Sequence, residues 1–211
     1  MQPAPPPVPG GELGRRERKK QETRRALIEA AYRLASERGP DGVTVEEIAD
    51  AADVSVRTFF NYFPGKEDAM VGMDPTVLDT VAVAVRERPT DEPPLEVLRY
   101  VLAPPGADMT RMADWWTRRI ELLRAHPSLV ARHLAGMALL ERRLTEAIVE
   151  RTGADDDDLY PAVVVAAAVA AFRLTLSRWD GTHALQTDLN RAFDLLAGGL
   201  GLPARDALPV T

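Results

Sequence analysis

Three histidines, His126, His133 and His183, and four consecutive carboxylates, Asp155 to Asp158, are the side chains best suited to acid–base or metal chemistry in this 211-residue chain. The histidines are scattered. None lies in an HExxH helix, at a GxSxG elbow or beside a phosphate-cradling glycine loop. The acidic run lacks the alternating ligands and the glycine of a calcium loop, so it reads as a solvated loop and helix N-cap. Cysteine is absent, which excludes thiolate catalysis, disulfides and Cys-ligated metals. We therefore expect no catalytic residue, no metal and no cofactor.

A different chemistry, the binding of a polyanion, is written near the N-terminus. Between Arg15 and Arg25 stand Arg15, Arg16, Arg18, Lys19, Lys20, Arg24 and Arg25 against only Glu17 and Glu22, although the whole chain carries a net charge of −6. Residues 67–211 hold 15 basic and 22 acidic side chains, a balance of −7. A basic head on an acidic body implies that one end alone meets phosphates.

The elements that must carry this charge follow from punctuation and period. Residues 1–14 contain five prolines and three glycines without an apolar period and read as a disordered arm. From Arg15 to Arg38 the positions Leu27, Ala31, Leu34 and Ala35 recur at helical spacing, and Gly39-Pro40 stops the helix. Thr44-Val45-Glu46-Glu47 is a capping box opening a short second helix with Ile48, Ala49 and Ala52 inward. Asp53-Val54-Ser55 interrupts it, and Ser55 caps a third helix dense in aromatics: Phe59, Phe60, Tyr62 and Phe63. Two short helices joined by a three-residue turn describe a helix-turn-helix, whose second helix enters the DNA major groove.

The string from Thr44 through Lys66, TVEEIADAADVSVRTFFNYFPGK, closely resembles the DNA-binding segment of the tetracycline-repressor (TetR) family of transcriptional regulators, over about residues 20–70. The resemblance implies an all-α homodimer. A three-helix N-terminal domain would bind a palindromic double-stranded operator, and a larger helical domain would hold a small-molecule inducer and the dimer contact. By position, Thr44, Tyr62 and Lys66 would touch phosphates. Ser55, Val56, Arg57, Thr58 and Asn61 would lie at or near the bases, Arg57 suiting guanine, Asn61 adenine, and Val56 or the Thr58 methyl a thymine methyl. Two departures stand out. Asp53 occupies the turn position usually held by glycine, and Phe60 replaces a frequent tyrosine, so one phosphate contact is lost. The cluster from Arg15 to Lys20 is available to reach the flanking groove.

Beyond Lys66, helices are expected at about 66–72, 75–88, 94–103, 108–125, 127–152, 160–180 and 186–200, with no sheet. The predicted boundaries are an arm over 1–14, a DNA-binding domain over 15–66, a ligand-binding and dimerisation domain over 67–203 and a flexible tail over 204–211. Met109, Met112, Trp116, Ile120 and Leu123 form one stripe, with Trp115 turned away by about 100°. Leu129, His133, Met137, Leu140, Leu144 and Ile148 form another. Either stripe packs a core or lines an apolar cavity, and in the second case Met112, Trp116, His133 and Met137 are ligand candidates, joined by Arg119 on the helix of the first stripe and Arg173 on the helix over 160–180. Arg173 interrupts an Ala/Val-rich helix and, if buried, needs a salt bridge or an anionic ligand. Val163, Ala167 and Ala170, with Leu189, Phe193, Leu196 and Leu200, are the expected dimer residues.

The pattern from Pro127 to Trp179 also resembles an actinobacterial TetR subgroup with an acyl-CoA-like ligand-binding domain. That resemblance implies an amphipathic inducer whose phosphates use Arg118, Arg119 or Arg173. The longest uninterrupted apolar run, Pro161 to Phe172, is too short for a bilayer span, and the N-terminus resembles no signal peptide, so a cytoplasmic location is expected. A small helical enzyme or a helical protein-interaction adaptor are the competing classes; neither accounts for the basic helix beside the helix-turn-helix.

Overall fold

Several helix ends in the N-terminal third are fixed by local devices that the sequence already displays. The computed structural model describes residues 15–72, 75–104, 109–155, 157–180 and 184–200. The predicted arm, the predicted tail and His183 lie outside these residues.

Helix α1, Arg15–Arg38, ends where Gly39 turns left-handed at φ +75 and donates its N–H to the Ala35 carbonyl at 2.9 Å. Helix α2, Val45–Ala51, starts at the capping box: Glu47 N donates to Thr44 Oγ1 at 3.2 Å and Thr44 N to Glu47 Oε2 at 2.9 Å. Asp53 takes φ +55, so the aspartate tolerates the left-handed turn as expected. Ser55 then caps α3, Val56–Phe60, by accepting the Thr58 N–H at 3.1 Å. Helix α4, Lys66–Val71, ends at left-handed Gly72.

The remainder comprises α5, Pro75–Glu87, α6, Pro94–Leu102, and α7, Met109–Ala125. A 3-10 turn over Pro127–Leu129 then leads into α8, Val130–Thr152, followed by α9, Tyr160–Arg178, and α10, Leu185–Ala197. There is no strand among the described residues, and the chain is all-α. The one expected helix over 127–152 is split because Pro127 opens a tighter turn.

Two apolar cores result. The first joins α1 to α4, with Leu27, Ile48, Phe59, Phe63 and Met70 fully buried, and reaches across to Leu122, Leu123 and Leu129. The second is built by α5 to α10 around Leu98, Trp116, Leu144, Val169, Leu189 and Phe193. Each such large apolar side chain removed from water contributes on the order of 1.5–3 kcal/mol. Arg151 on α8 clamps the α5–α6 loop through the carbonyls of Val85, Arg88, Pro89 and Glu92 at 2.7–3.3 Å.

Helix α9 is long and apolar enough to cross a membrane by length and composition alone, which its twelve-residue run did not signal, and 28% of that window is buried. Its inner face, Pro161, Val165, Ala168, Val169 and Leu176, packs within the second core.

Two expectations need correction. Leu189 and Phe193 fit a dimer contact by their spacing, but both have 0% exposure, because α6, α7 and α9 close over α10. They belong to the core of the subunit. Arg173 is not buried: it sits on an outward turn of α9 and makes no ion pair among the described residues.

Candidate DNA-binding face and buried donor cluster

Helix α3 is held by its aromatic side. Phe59 and Phe63, with 0% and 1% exposure and ring centres 5.9 Å apart, anchor it in the first core. That anchoring leaves Arg57, Asn61 and the 54%-exposed Phe60 outward, with Val56, Thr58 and Tyr62 half-buried. Thr58 Oγ1 lies 2.9 Å from Ser55 Oγ, so these two hydroxyls order each other at the helix start. Arg24, reaching from α1, stacks over the Tyr62 ring at 5.3 Å and fixes the angle between the two helices.

An open groove of about 1250 Å³ runs between α1 and this motif. Arg16, Lys19 and Lys20 line one wall; Ser55, Thr58 and Tyr62 line the other. The basic cluster and the α3 side chains thus share one face, which combines the cationic and hydrogen-bonding groups suited to phosphates and base edges.

The remaining expected contacts divide. Thr44 is exposed at the α2 N-terminus, where free N–H groups and the helix dipole favour an anion. Glu47 is tied to Arg38 at 2.7 Å, a pairing that lowers its carboxyl pKa and locks α2 to α1. Lys66 also braces the fold, since its Nζ donates to the carbonyls of Pro40 and Val43, both at 2.9 Å, leaving one N–H for any phosphate.

The second core contains a polar island. Arg119 on α7 is 2% exposed, and its Nη2 lies 2.9 Å from His133 Nδ1 on α8, itself 7% exposed. The guanidinium carbon stands 4.8 Å from the ring centre of Trp115 and 5.7 Å from that of Trp116. Trp116 meets His133 edge-on at 6.0 Å. Burial pulls the Arg119 pKa down to about 9. Burial, then the charges of Arg119 and Arg173, lower the His133 pKa to about 4.

The fold therefore brings Trp116, Arg119 and His133 together, with Arg173 near enough to act on His133 and Met137 one turn further along α8. The Met112 side chain lies outside the described residues. Sequence reasoning missed Trp115, which it turned away from the site. The ring faces Arg119 on one side and Gly72 on the other, a contact across 43 residues that no local pattern announces. It also missed the bond from Arg132 Nε on α8 to Asp68 Oδ1 on α4, at 2.6 Å, and that from Tyr32 Oη on α1 to the Arg118 carbonyl on α7, at 3.2 Å. Asp158 accepts the Tyr160 N–H at 2.8 Å just ahead of α9, but the N-cap residue is Leu159 and not an aspartate of the acidic run; no metal-holding cluster exists among the described residues.

Residues 27–69 match the family model described as bacterial regulatory proteins, tetR family, and residues 92–201 match that described as the MftR C-terminal domain. The chain is 31% identical over 176 residues to the HTH-type transcriptional regulator TcmR of Streptomyces glaucescens, covering 79% of this chain and 76% of that one. Among solved structures it resembles the fatty acid degradation regulator FadR of Bacillus halodurans, with TM-score 0.53, 18% identity, and 90% and 98% of the two chains covered. It also resembles FadR of Bacillus subtilis in complex with stearoyl-CoA, with TM-score 0.52, 18% identity, and coverage of 82% and 97%.

Proposed function

Because the chain belongs to the TetR family of DNA-binding, ligand-responsive transcriptional regulators, which are not enzymes, we propose that it acts as a homodimeric repressor, released from a palindromic operator by a small amphipathic molecule. The observation that carries this reading is the groove in which Thr58 and Asn61 stand opposite the basic wall of α1, with Arg57 exposed on the same short helix.

In the proposed complex α3 lies in the major groove. Arg57 and Asn61 address base edges, while the α2 N-terminus at Thr44, together with Tyr62, Arg16 and Lys19, positions the helix on phosphates. Residues 15–66 form the DNA-binding unit, and the helices beyond them form the ligand-binding and dimerisation unit, placed in the cytoplasm with its DNA.

A second copy of the chain is the occupant proposed for the outer face of α9. Val163 is 61% and Leu174 56% exposed, with Ala166 and Ala170 between them at helical spacing. Small side chains let a symmetry mate approach closely. Ala167, Leu196 and Leu200, each at least partly exposed, are further residues proposed for this contact. The dimer sets the separation of the two recognition helices, and a ligand shifts that separation only through its differential affinity for the two states.

Selection of bound fragments from sheared genomic DNA of the source organism by the purified protein tests the proposal. Enrichment of a two-fold symmetric site is the expected result. A folded protein that enriches no such site overturns it.

A further inference from the structure

The second core holds a positive charge surrounded by donors and supplied with no acceptor of negative charge. Arg119 Nε and Trp116 Nε1 are buried without hydrogen-bond partners. Arginine carries only N–H groups, so its 2.9 Å contact makes His133 Nδ1 an acceptor and places the imidazole proton on Nε2, a third donor. Arg119, Trp116 and His133 lie within about 6 Å of one another. Arg119 forms no ion pair among the described residues, and burial is the one influence on its pKa. Water can satisfy an indole N–H but cannot balance a guanidinium charge, and a buried, unbalanced charge is costly unless a partner arrives.

Resting on the reading that this core receives the inducer, we propose that Arg119, His133 and Trp116 bind the carboxylate of an organic anion whose apolar body lies against Trp115, Trp116 and Met137. Arg119 supplies the charge and two of its N–H groups; Trp116 and the His133 Nε2–H complete the oxygen shell. The histidine is neutral at pH 7, so it acts as an oriented donor and not as a second cation. The two indole rings lie 4.8 and 5.7 Å from the guanidinium carbon, and with Arg119 only 2% exposed this low-dielectric setting strengthens its attraction for a carboxylate. Arg173, exposed on α9, is near enough for its charge to act on His133 and adds positive potential at this site.

Dodecanoate and anthracene-9-carboxylate, each paired with its neutral alcohol, dodecanol and anthracene-9-methanol, are the probes that test the site. Binding is read by tryptophan fluorescence and by melting temperature. The expected result is that at least one carboxylate binds ten-fold or more tightly than its alcohol. Arg119→Met erases that preference while leaving the alcohol's affinity within three-fold, and Arg119→Lys keeps part of it. Equal binding of acids and alcohols, binding of no carboxylate, or a preference that survives in Arg119→Met overturns the proposal. Fragment selection with the ligand-free protein runs beside it. An unsubstituted protein that enriches an operator while showing no carboxylate preference sinks the anion site alone, whereas its failure to enrich any site sinks the regulatory reading by itself.

Discussion

A Cβ placed on Gly72 would stand 2.8 Å from Cζ2 of Trp115. Gly72 closes α4, the helix that staples the helix-turn-helix through Lys66, while the indole of Trp115 lies on Arg119. Gly72 follows the residues by which α4 fills the first core, so that core stands one aromatic ring away from the buried guanidinium. Asp68 and Arg132 make a second tie, from α4 to α8.

Gly72→Ala is expected to cost about 2–4 kcal/mol, because it adds left-handed strain at φ +62 to a 2.8 Å clash with the half-buried Trp115 indole. Gly153→Ala is the matched comparison, with φ +63 and nothing within 4 Å of the added carbon, so only the backbone cost of about 1–2 kcal/mol applies. Urea denaturation of the two variants measures the difference. Equal losses would show that Trp115 yields freely.

Thr58→Ala and Asn61→Ala should each weaken operator binding by about 1–3 kcal/mol if they reach bases as proposed. On stability, exposed Asn61→Ala should stay within about 0.5 kcal/mol, and Thr58→Ala, which loses the bond to Ser55 Oγ, should cost about 1 kcal/mol. Lys19→Ala should act on all sequences alike and reduce the slope of log affinity against log salt by about 1. Titrations of an operator duplex at three salt concentrations separate the two behaviours.

Val163→Glu combined with Leu174→Glu should convert a dimer into a monomer. Two carboxylates would be placed in the centre of an apolar contact, where truncating a single anchor commonly costs about 2 kcal/mol or more. Both side chains are more than half exposed in one subunit, so the fold of the monomer should survive. Analytical ultracentrifugation reads the mass, and a monomeric unsubstituted protein would contradict the assignment of α9.

Stability should fall between pH 6.5 and pH 4 through His133. Its pKa is about 4 in the folded chain against 6.5 ordinarily, so above pH 6.5 neither the folded nor the unfolded state binds the proton. As the pH drops below that, the unfolded state takes up a proton that the folded state refuses, and the loss grows to about 3 kcal/mol near pH 4. The ion-paired carboxyls of Glu47, Glu92 and Glu150, all held low, add their own losses at the acid end of this window and below. Unfolding of the His133→Gln variant across the same range isolates the histidine contribution, which should vanish in that variant.

Local physics made the N-terminal motif readable before any coordinates. The capping box at Thr44, the Ser55 cap, the left-handed stops at Gly39 and Asp53, and the aromatic anchors Phe59 and Phe63 each act within a few residues, so the string of side chains determines them. The apolar periods likewise located helices α5 to α10 to within two or three residues at their ends. Period does not say what lies across from a face. Leu189 and Phe193 share a stripe that fits a dimer contact as well as a core, and only the closure of α6, α7 and α9 over α10 decided for the core. Arg119 follows Trp116 by one helical turn and resembles any solvated cation on a helix; the crossing of α7 and α8 buried it beside His133. Tertiary structure alone decides such matters, because burial and charge balance depend on neighbours supplied from distant segments, and no sequence spacing encodes that proximity.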